Sequence, residues 1–194
     1  MLTHRSGIAT VIATAVALFV LLAGAGFAFM YSGVYDVSAS SKDNPIVAKM
    51  LHGTYEASLH RRAGSDVAPG DLLSLENIRA GARMYDVSCA LCHGAPDRPL
   101  SAIGHGIQPA APSLLSADRR NKPVLMFWTI KHGVNMTAMP SFGTTQSDQA
   151  IWQAAAFIYA ERGISKEKYG QLVHGNVQVA NTAVSKSSVT PNSR

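Results

Sequence analysis

The chain has 194 residues, of which 47% are hydrophobic and 15% charged, and its formal net charge is +5. This length holds one compact domain with appendages. The basic residues are scattered, apart from clusters at 61–62 and 119–122, and no aromatic residues interleave with them, which excludes a nucleic-acid-binding protein. We expect these charges to be solvated or to attract an acidic protein partner.

Residues 7–30 form an apolar run without a charged side chain. A helix of about 20 such residues crosses a bilayer, so the run predicts a membrane anchor over residues 1–34. A cleaved secretory signal is the alternative, because the small residues around Gly24 resemble a cleavage site. The apolar stretch continues beyond that site to Met30, and two tyrosines follow it, which favours a retained anchor.

Residues 35–70 are predicted to form a tether and a juxtamembrane helix. Asn44 followed by Pro45 is typical of a helix start, since asparagine caps the first turn and proline fits the first helical position. Apolar residues then recur at helical spacing until Arg62, which predicts an amphipathic helix. Such a helix either lies on the lipid surface or packs against the following domain, and the sequence leaves both settings open.

A second helix is predicted from about Leu75 to Cys92, and it carries the most informative motif of the chain. Cys89-Ala90-Leu91-Cys92-His93 is the C-x-x-C-H signature of covalent c-type haem attachment. On a helix, positions i, i+3 and i+4 share one face, so both thiols and the imidazole point at the same object. The thiols can form thioether bonds to the haem vinyl groups while His93 ligates the iron.

Three other uses of these cysteines fit the sequence less well. A thioredoxin-like redox pair would need a βαβ context, and little of the sequence predicts strands. A zinc site needs about four ligands, and the chain has only two cysteines. A structural disulfide between residues so close in sequence would close a very small loop. We therefore expect one covalently bound haem c.

The rest of the haem domain, residues 71–170, is predicted to be helices and loops. Many turn formers and little periodicity indicate a long loop over 94–116, for which wrapping the edge of a haem is a reason. Helices are predicted over 122–132 and, from a Thr-x-x-Asp opening, over 145–162. Residues 171–194 are rich in serine, valine and asparagine and lack aromatic residues, which predicts a disordered tail.

The second axial ligand of the iron is expected in the segment 131–143, which offers His132, Met136 and Met139. His132 falls at the end of a helix, where a hydrogen-bonding or cationic cap is the simple explanation. A thioether is a soft, neutral ligand that favours ferrous iron and so raises the reduction potential. Pro140 restricts the backbone of Met139 to extended geometry, which helps to hold that sulfur in place.

The chain resembles the class I cytochromes c, and more narrowly the membrane-anchored bacterial monohaem cytochromes c, over residues 31–162. The resemblance is carried by the attachment motif with the Gly-Ala-Pro at 94–96, by Trp128 to Gly133, and by Met136 to Pro140. It implies an all-α fold, in which a single N-terminal transmembrane helix precedes a small helical haem domain with long haem-wrapping loops.

The resemblance also implies roles for individual residues. In that family the methionine directly before a proline ligates the iron, which is Met139 here, although the family usually has glycine where this chain has Ala138. A proline carbonyl after the attachment motif commonly accepts the Nδ1–H of the proximal histidine and tunes the iron. Pro109 is the first candidate for this proline, and Pro112 is the second.

The packing of the first and last helices of the haem domain follows from the same resemblance. Gly81 and Tyr85, four residues apart, match the face on which the first helix crosses the last. We expect the glycine to permit close approach and the tyrosine to pack against Trp152, Ala156 or Phe157.

The function implied is that of a single-electron carrier of a bacterial respiratory chain, not an enzyme, with its haem domain on the periplasmic side of the cytoplasmic membrane. No small-molecule substrate is expected at the iron. The partners implied are a quinol–cytochrome c oxidoreductase, a periplasmic dehydrogenase, or a terminal oxidase or reductase. The alternatives are a fixed haem relay subunit of a larger complex, a catalytic or gas-sensing haem protein, and a thiol–disulfide protein.

Overall fold

The computed structural model of the protein describes residues 2–118 and 122–175. Regular structure in these ranges is helical, apart from an isolated antiparallel bridge between Ala95 and Arg98, which confirms the predicted all-α class. The chain divides into two compact units, Met1–Ser41 and Lys42–Arg194. The α-helices are α1 (Leu2–Tyr31), α2 (Pro45–Arg62), α3 (Leu75–Met84), α4 (Ala90–His93), α5 (Ala102–His105), α6 (Pro123–His132), α7 (Asp148–Ala160) and α8 (166–175).

Helix α1 dominates the first unit and is long and apolar enough to cross a membrane. The stretch Gly7–Tyr31 has a mean hydropathy of 2.5, and its large side chains, Leu18 and Phe19 among them, are exposed. An exposed apolar surface of this extent is consistent with a membrane anchor. A signal sequence shares this length and composition, so retention of the helix in the mature protein stays a prediction.

Helix α2 begins where the sequence predicts, and one of its sides packs against the rest of the second unit. The side chain of Asn44 accepts a hydrogen bond of 2.9 Å from the backbone N–H of Ile46. Leu59 is buried, and the hydroxyl oxygens of Tyr55 and Thr129 lie 3.1 Å apart. Of the two settings predicted for this helix, packing against the following domain is therefore present on this side.

The core of the second unit forms where α3 crosses α7. A Cβ atom at Gly81 would overlap the carbonyl oxygen of Gln153 and lie 2.9 Å from Cβ of Phe157, so only glycine fits at the crossing. One turn further along, the ring of Tyr85 packs against that of Phe157 with 5.4 Å between the ring centroids. The predicted crossing is confirmed, and Phe157 is the partner of Tyr85.

Helix α7 also packs against α6, and its start differs from the predicted one. The rings of Phe127 and Trp152 stack with 4.0 Å between centroids and 9° between planes. The cap of α7 is Ser147, whose Oγ accepts a hydrogen bond of 3.2 Å from the N–H of Ala150. The predicted opening at Thr145 is therefore two residues early, because the short 3-10 turn before it directs that hydroxyl to the carbonyl of Phe142 instead.

Helix α8 shows that the predicted disordered tail does not begin at residue 171. Tyr169 and Leu172 are buried, and the ring centroid of Tyr169 lies 6.1 Å from that of Phe157. Lys168 pairs with the nearly buried carboxylate of Glu161 at 2.6 Å, which joins α8 to the end of α7. The remainder of the predicted tail, residues 176–194, lies outside the described residues.

Replacing Gly81 by alanine is expected to destabilise the fold, because the new methyl group would overlap the backbone of α7. We expect the free energy of unfolding to fall by about 1–3 kcal/mol, the usual cost of overpacking, in urea titrations of the haem-loaded protein. Gly53→Ala is the matched control, since no atom lies within 4 Å of a Cβ at that helical position. Alanine there is expected to add about 0.5–1 kcal/mol of stability through helix propensity. An unchanged urea midpoint for Gly81→Ala would contradict the crossing.

Candidate haem-binding site

The attachment motif lies at the end of a continuous helical stretch that contains one wider turn. Helix α3 passes at Tyr85 into a π-helix, Tyr85–Cys89, and α4 follows directly. Such π-helical turns occur frequently at functional sites. The sequence predicts one uninterrupted helix here, since nothing in its periodicity signals the wider turn. Gly94 then ends α4 with a φ of 73°, a conformation that favours glycine.

Cys89 and Cys92 are not joined by a disulfide, and they lie at different depths. Cys89 is buried, and burial raises the pKa of its thiol to about 12, while Cys92 is half-buried. A protonated thiol is a poor metal ligand and a poor nucleophile, since both roles need a thiolate. In the described part of the chain, no cluster of three or more His, Cys, Asp or Glu side chains could hold a metal ion. The described residues around the motif therefore do not assemble the four ligands of a zinc site.

The imidazole of His93 is oriented by a backbone carbonyl. Its Nδ1 lies 2.7 Å from the carbonyl oxygen of Pro112. When Nδ1 carries the proton and donates a hydrogen bond, the ring is neutral and its lone pair lies on Nε2. This tautomer of histidine is the one that ligates iron through Nε2. His93 thus has the orientation that a proximal ligand needs.

Pro112, and not Pro109, supplies that carbonyl, so the first candidate named from the sequence is wrong and the second is observed. The loop that leads to it contains α5, which the sequence pattern did not predict. Ser101, the cap of α5, donates its hydroxyl to the carbonyl oxygen of Leu91 at 2.6 Å and so holds this turn against α4. Helix α5 takes up residues 102–105, so the loop needs more residues to come back to His93. The carbonyl that accepts from His93 is therefore that of Pro112, three residues after Pro109.

Two tyrosines and an ion pair hold the backbone on both sides of the motif. The hydroxyl of Tyr85 donates to the carbonyl oxygen of Gly94 at 2.7 Å, and burial raises the pKa of this tyrosine. The hydroxyl of Tyr169 donates to the carboxylate of Asp86 at 2.8 Å, and Arg98 pairs with the same carboxylate. Helix α8 and the loop after the motif are thereby both joined to the π-helical turn. Sequence reasoning missed these contacts, because the residues become neighbours only through folding.

The segment after α6 turns Met139 toward the core and leaves Met136 in solvent. Met136 is 77% exposed, whereas Met139 is half-buried and packs against the hydrophobic core. A hydrogen bond of 3.1 Å from the N–H of Val134 to the carbonyl of Met139 closes the loop. Gly133 lies at the base of this loop with a φ of 68°. The position requires glycine, because a Cβ there would lie 2.8 Å from the carbonyl oxygen of Met139.

Thr137 holds the backbone immediately before Met139. Its Oγ1 donates to the carbonyl oxygen of Val134 at 2.7 Å and accepts from the N–H of Met139 at 3.1 Å. On the other side of the loop, the hydroxyl of Ser141 donates to the carbonyl oxygen of Lys131 at 2.7 Å. The backbone is therefore held on both sides of Met139.

The third candidate ligand, His132, is exposed at the end of α6, and its ring lies 4.7 Å from that of Trp128 between centroids. The donor set that remains is two thiols, one oriented imidazole and one half-buried thioether, which is the set that a His/Met-ligated c-type haem requires. Half-buried apolar side chains packed on the core, such as Leu114 and Phe142, could cover an apolar ring. The residues present therefore fit a haem c.

Comparison with known protein families gives a match within the second unit. Residues 76–158 match the sequence profile of the family described as cytochrome c oxidase, cbb3-type, subunit III. The matched stretch runs from α3 to α7 and includes the attachment motif and the loop that carries Met139.

Among solved structures, a chain of the Kuenenia stuttgartiensis reducing HAO-like protein complex Kustc0457/Kustc0458 is similar, with 21% sequence identity and a TM-score of 0.39. The similarity covers 54% of this chain and 49% of that one, so the protein matches about half of that chain's length. A likeness this distant carries no argument about function. The comparison with curated proteins gives no match.

The family match agrees with the helical fold and with the motif at Cys89–His93, which the match includes. In c-type cytochrome domains the haem is bound covalently, and the domain serves in electron transfer. The domain that contains residues 76–158 is therefore that of a class I c-type cytochrome, and such a domain implies a covalently bound haem c.

Proposed function

We propose that the protein is a single-electron carrier of a bacterial respiratory chain, tethered to the cytoplasmic membrane by α1, with its haem domain in the periplasm. Cys89 and Cys92 hold the haem through thioether bonds, and His93 and Met139 ligate the iron. The observation that carries the proposal is the arrangement of these two ligands. The ring of His93 is oriented by the carbonyl of Pro112, and Met139 lies in a loop held at the edge of the core.

The residues around the iron set the behaviour of the redox couple. Haem iron, when bound, supplies a one-electron couple whose potential depends on its ligands and surroundings. The carbonyl of Pro112 accepts a hydrogen bond from the Nδ1–H of His93 and so strengthens the ring as an electron donor to bound iron. The thioether of Met139 favours the ferrous state. Apolar neighbours such as Leu114 and Phe142 exclude water, which also favours the state of lower charge.

Carriage of electrons, and not catalysis at the iron, would follow if His93 and Met139 both ligate a bound haem iron. With both positions filled, the iron offers no coordination site to a small molecule. Electron transfer to partner proteins then needs only a small, short-lived interface. The tether keeps the domain near membrane complexes and raises its effective concentration there. The partners proposed are a quinol–cytochrome c oxidoreductase or a periplasmic dehydrogenase as donor, and a terminal oxidase or reductase as acceptor.

A fixed haem relay within a larger respiratory complex is the second candidate function. It is favoured by one observation, since the family that matches residues 76–158 is described as a subunit of a cbb3-type oxidase. Purification from native membranes in mild detergent separates the two candidates. Other subunits at stoichiometric yield would favour the relay, and recovery of the chain by itself would favour the carrier.

The sixth coordination position of the haem iron is expected to be filled by Met139. We expect the reduced protein to have the absorbance spectrum of a low-spin c-type haem, and we expect carbon monoxide to leave it unchanged, because Met139 occupies the position that the gas would take. A prompt spectral shift on adding carbon monoxide would contradict the proposed carrier and would point to chemistry at the iron.

The two methionines of the loop, Met136 and Met139, are expected to differ in their effect on the reduction potential. Met139→Ala is expected to lower the reduction potential by ~100 mV or more, a fraction of the ~0.8 V over which axial ligands set haem potentials. Met136→Ala is the matched control and is expected to change it little, because that side chain is 77% exposed. Redox titration of the two variants measures the difference. Equal shifts, or the larger shift for Met136→Ala, would overturn the assignment of Met139.

Thr137 is a positioning residue that acts through the backbone of Met139. Thr137→Val keeps the shape of the side chain but removes the hydroxyl that bonds to Val134 and Met139. At about 1 kcal/mol per hydrogen bond, Met139 is expected to leave the iron about five- to thirtyfold more often than in the wild type, so carbon monoxide should shift the spectrum of the reduced variant although it leaves that of the wild type unchanged. Thr137→Ser keeps the hydroxyl and should behave as the wild type. Equal spectral shifts for the two variants would show that the hydroxyl does not hold the ligand.

A further inference from the structure

Helix α2 carries apolar side chains on two opposite sides. Tyr55 and Leu59 face α6, as described above. Ile46 and Met50 lie about half a turn away at 100° per residue, and they are 69% and 68% exposed. The helix therefore leaves an apolar side uncovered in the folded unit.

Basic residues accompany this uncovered side. Lys42 precedes α2, Lys49 is next to Met50 in the sequence, and Arg61 in the last turn lies on the same side as Met50, all with exposed side chains. The one carboxylate of α2 belongs to Glu56, which lies within ion-pair distance of two histidines of the same helix. An apolar strip flanked by positive charge is the pattern that binds an anionic lipid surface.

The position of α2 along the chain keeps it within reach of the proposed membrane. Residues 32–44 alone separate α1 from α2, and thirteen residues span at most about 45 Å. The connecting segment is itself partly apolar, with Val34 and Val37 exposed. The tethered end of α2 is also the end that carries Ile46 and Met50.

We propose that the outer face of α2, defined by Ile46, Lys49, Met50 and Arg61, binds the surface of a membrane that contains anionic lipids. The proposal rests on the tether of the proposed function. The apolar side chains enter the boundary between headgroups and acyl chains, to a depth of about 5–10 Å, and the basic groups meet lipid phosphates. Because the inner side of α2 packs against α6, this contact gives the haem domain one preferred orientation on the membrane.

Two methionines of similar exposure allow a footprinting test within one molecule. The full-length, haem-loaded protein is placed in nanodiscs at one copy per disc, either of pure phosphatidylcholine or with a third of the lipid as phosphatidylglycerol. Brief peroxide treatment and mass spectrometry then give the oxidation rates of Met50 and of Met136, the reference. In the anionic discs Met50 is expected to oxidise about fivefold or more slower than Met136, because lipid covers it, with weaker protection in neutral discs. Equal rates in both discs would overturn the proposal.

Two variants make the test specific to the outer face. Ile46→Glu places a carboxylate on the face and is expected to return the oxidation rate of Met50 to that of Met136. Val67→Glu is the control, since Val67 is 85% exposed outside α2 and its change should leave Met50 protected. An unchanged haem spectrum shows that both variants fold. Protection that survives Ile46→Glu, or that appears only with two copies per disc, would assign the cover to another contact or to a second copy and contradict lipid binding.

The outcome also distinguishes failure of the inference from failure of the proposed tether. The intact mass of the chain in the discs is measured first. A mature chain that has lost α1 and does not enter discs would contradict the tether. A chain that enters with α1 intact but oxidises rapidly at Met50 would contradict only the binding of α2 to lipid.

Discussion

The close contact between α3 and α7 at Gly81 determines where both proposed iron ligands lie. Helix α3 leads through the π-helical turn into the attachment motif, so the crossing sets the position of His93. Helix α7 stacks Trp152 on Phe127 of α6, and the loop that follows α6 carries Met139. One backbone contact, possible only for glycine, therefore relates the two sides of the haem site to each other.

Much of the fold could be predicted from the sequence, because its signals act within a few residues. The cap at Asn44 and the end of α6 at Gly133 follow from local backbone chemistry and were found where expected. The start of α7 was less certain on physical grounds. Thr145 and Ser147 are both good capping residues, and only the preceding turn, formed by tertiary packing, decides between them.

The parts of the site that could not be predicted are those made by residues far apart in the chain. Tyr169 donates a hydrogen bond to Asp86, although the two residues are 83 positions apart in the chain, and neither residue belongs to a recognisable motif. The acceptor for His93 depended on the path of a loop with little periodicity, so spacing did not select Pro112 over Pro109. The sequence predicts a single apolar face on α2, whereas the structure has apolar residues on two opposite sides. Apolar residues on opposite sides of a helix weaken the periodic pattern from which a face is predicted.

The hydrogen bonds that hold the Met139 loop and the ring of His93 have a consequence for the speed of electron transfer. Each side of the site is fixed by backbone carbonyls and hydroxyl groups that do not change charge when an electron arrives. A polar environment already oriented in the folded state need not rearrange during the transfer itself. We therefore expect a low reorganisation energy for the proposed haem couple, so that the rate of exchange with a partner depends on how often the two proteins meet and on their orientation when they do.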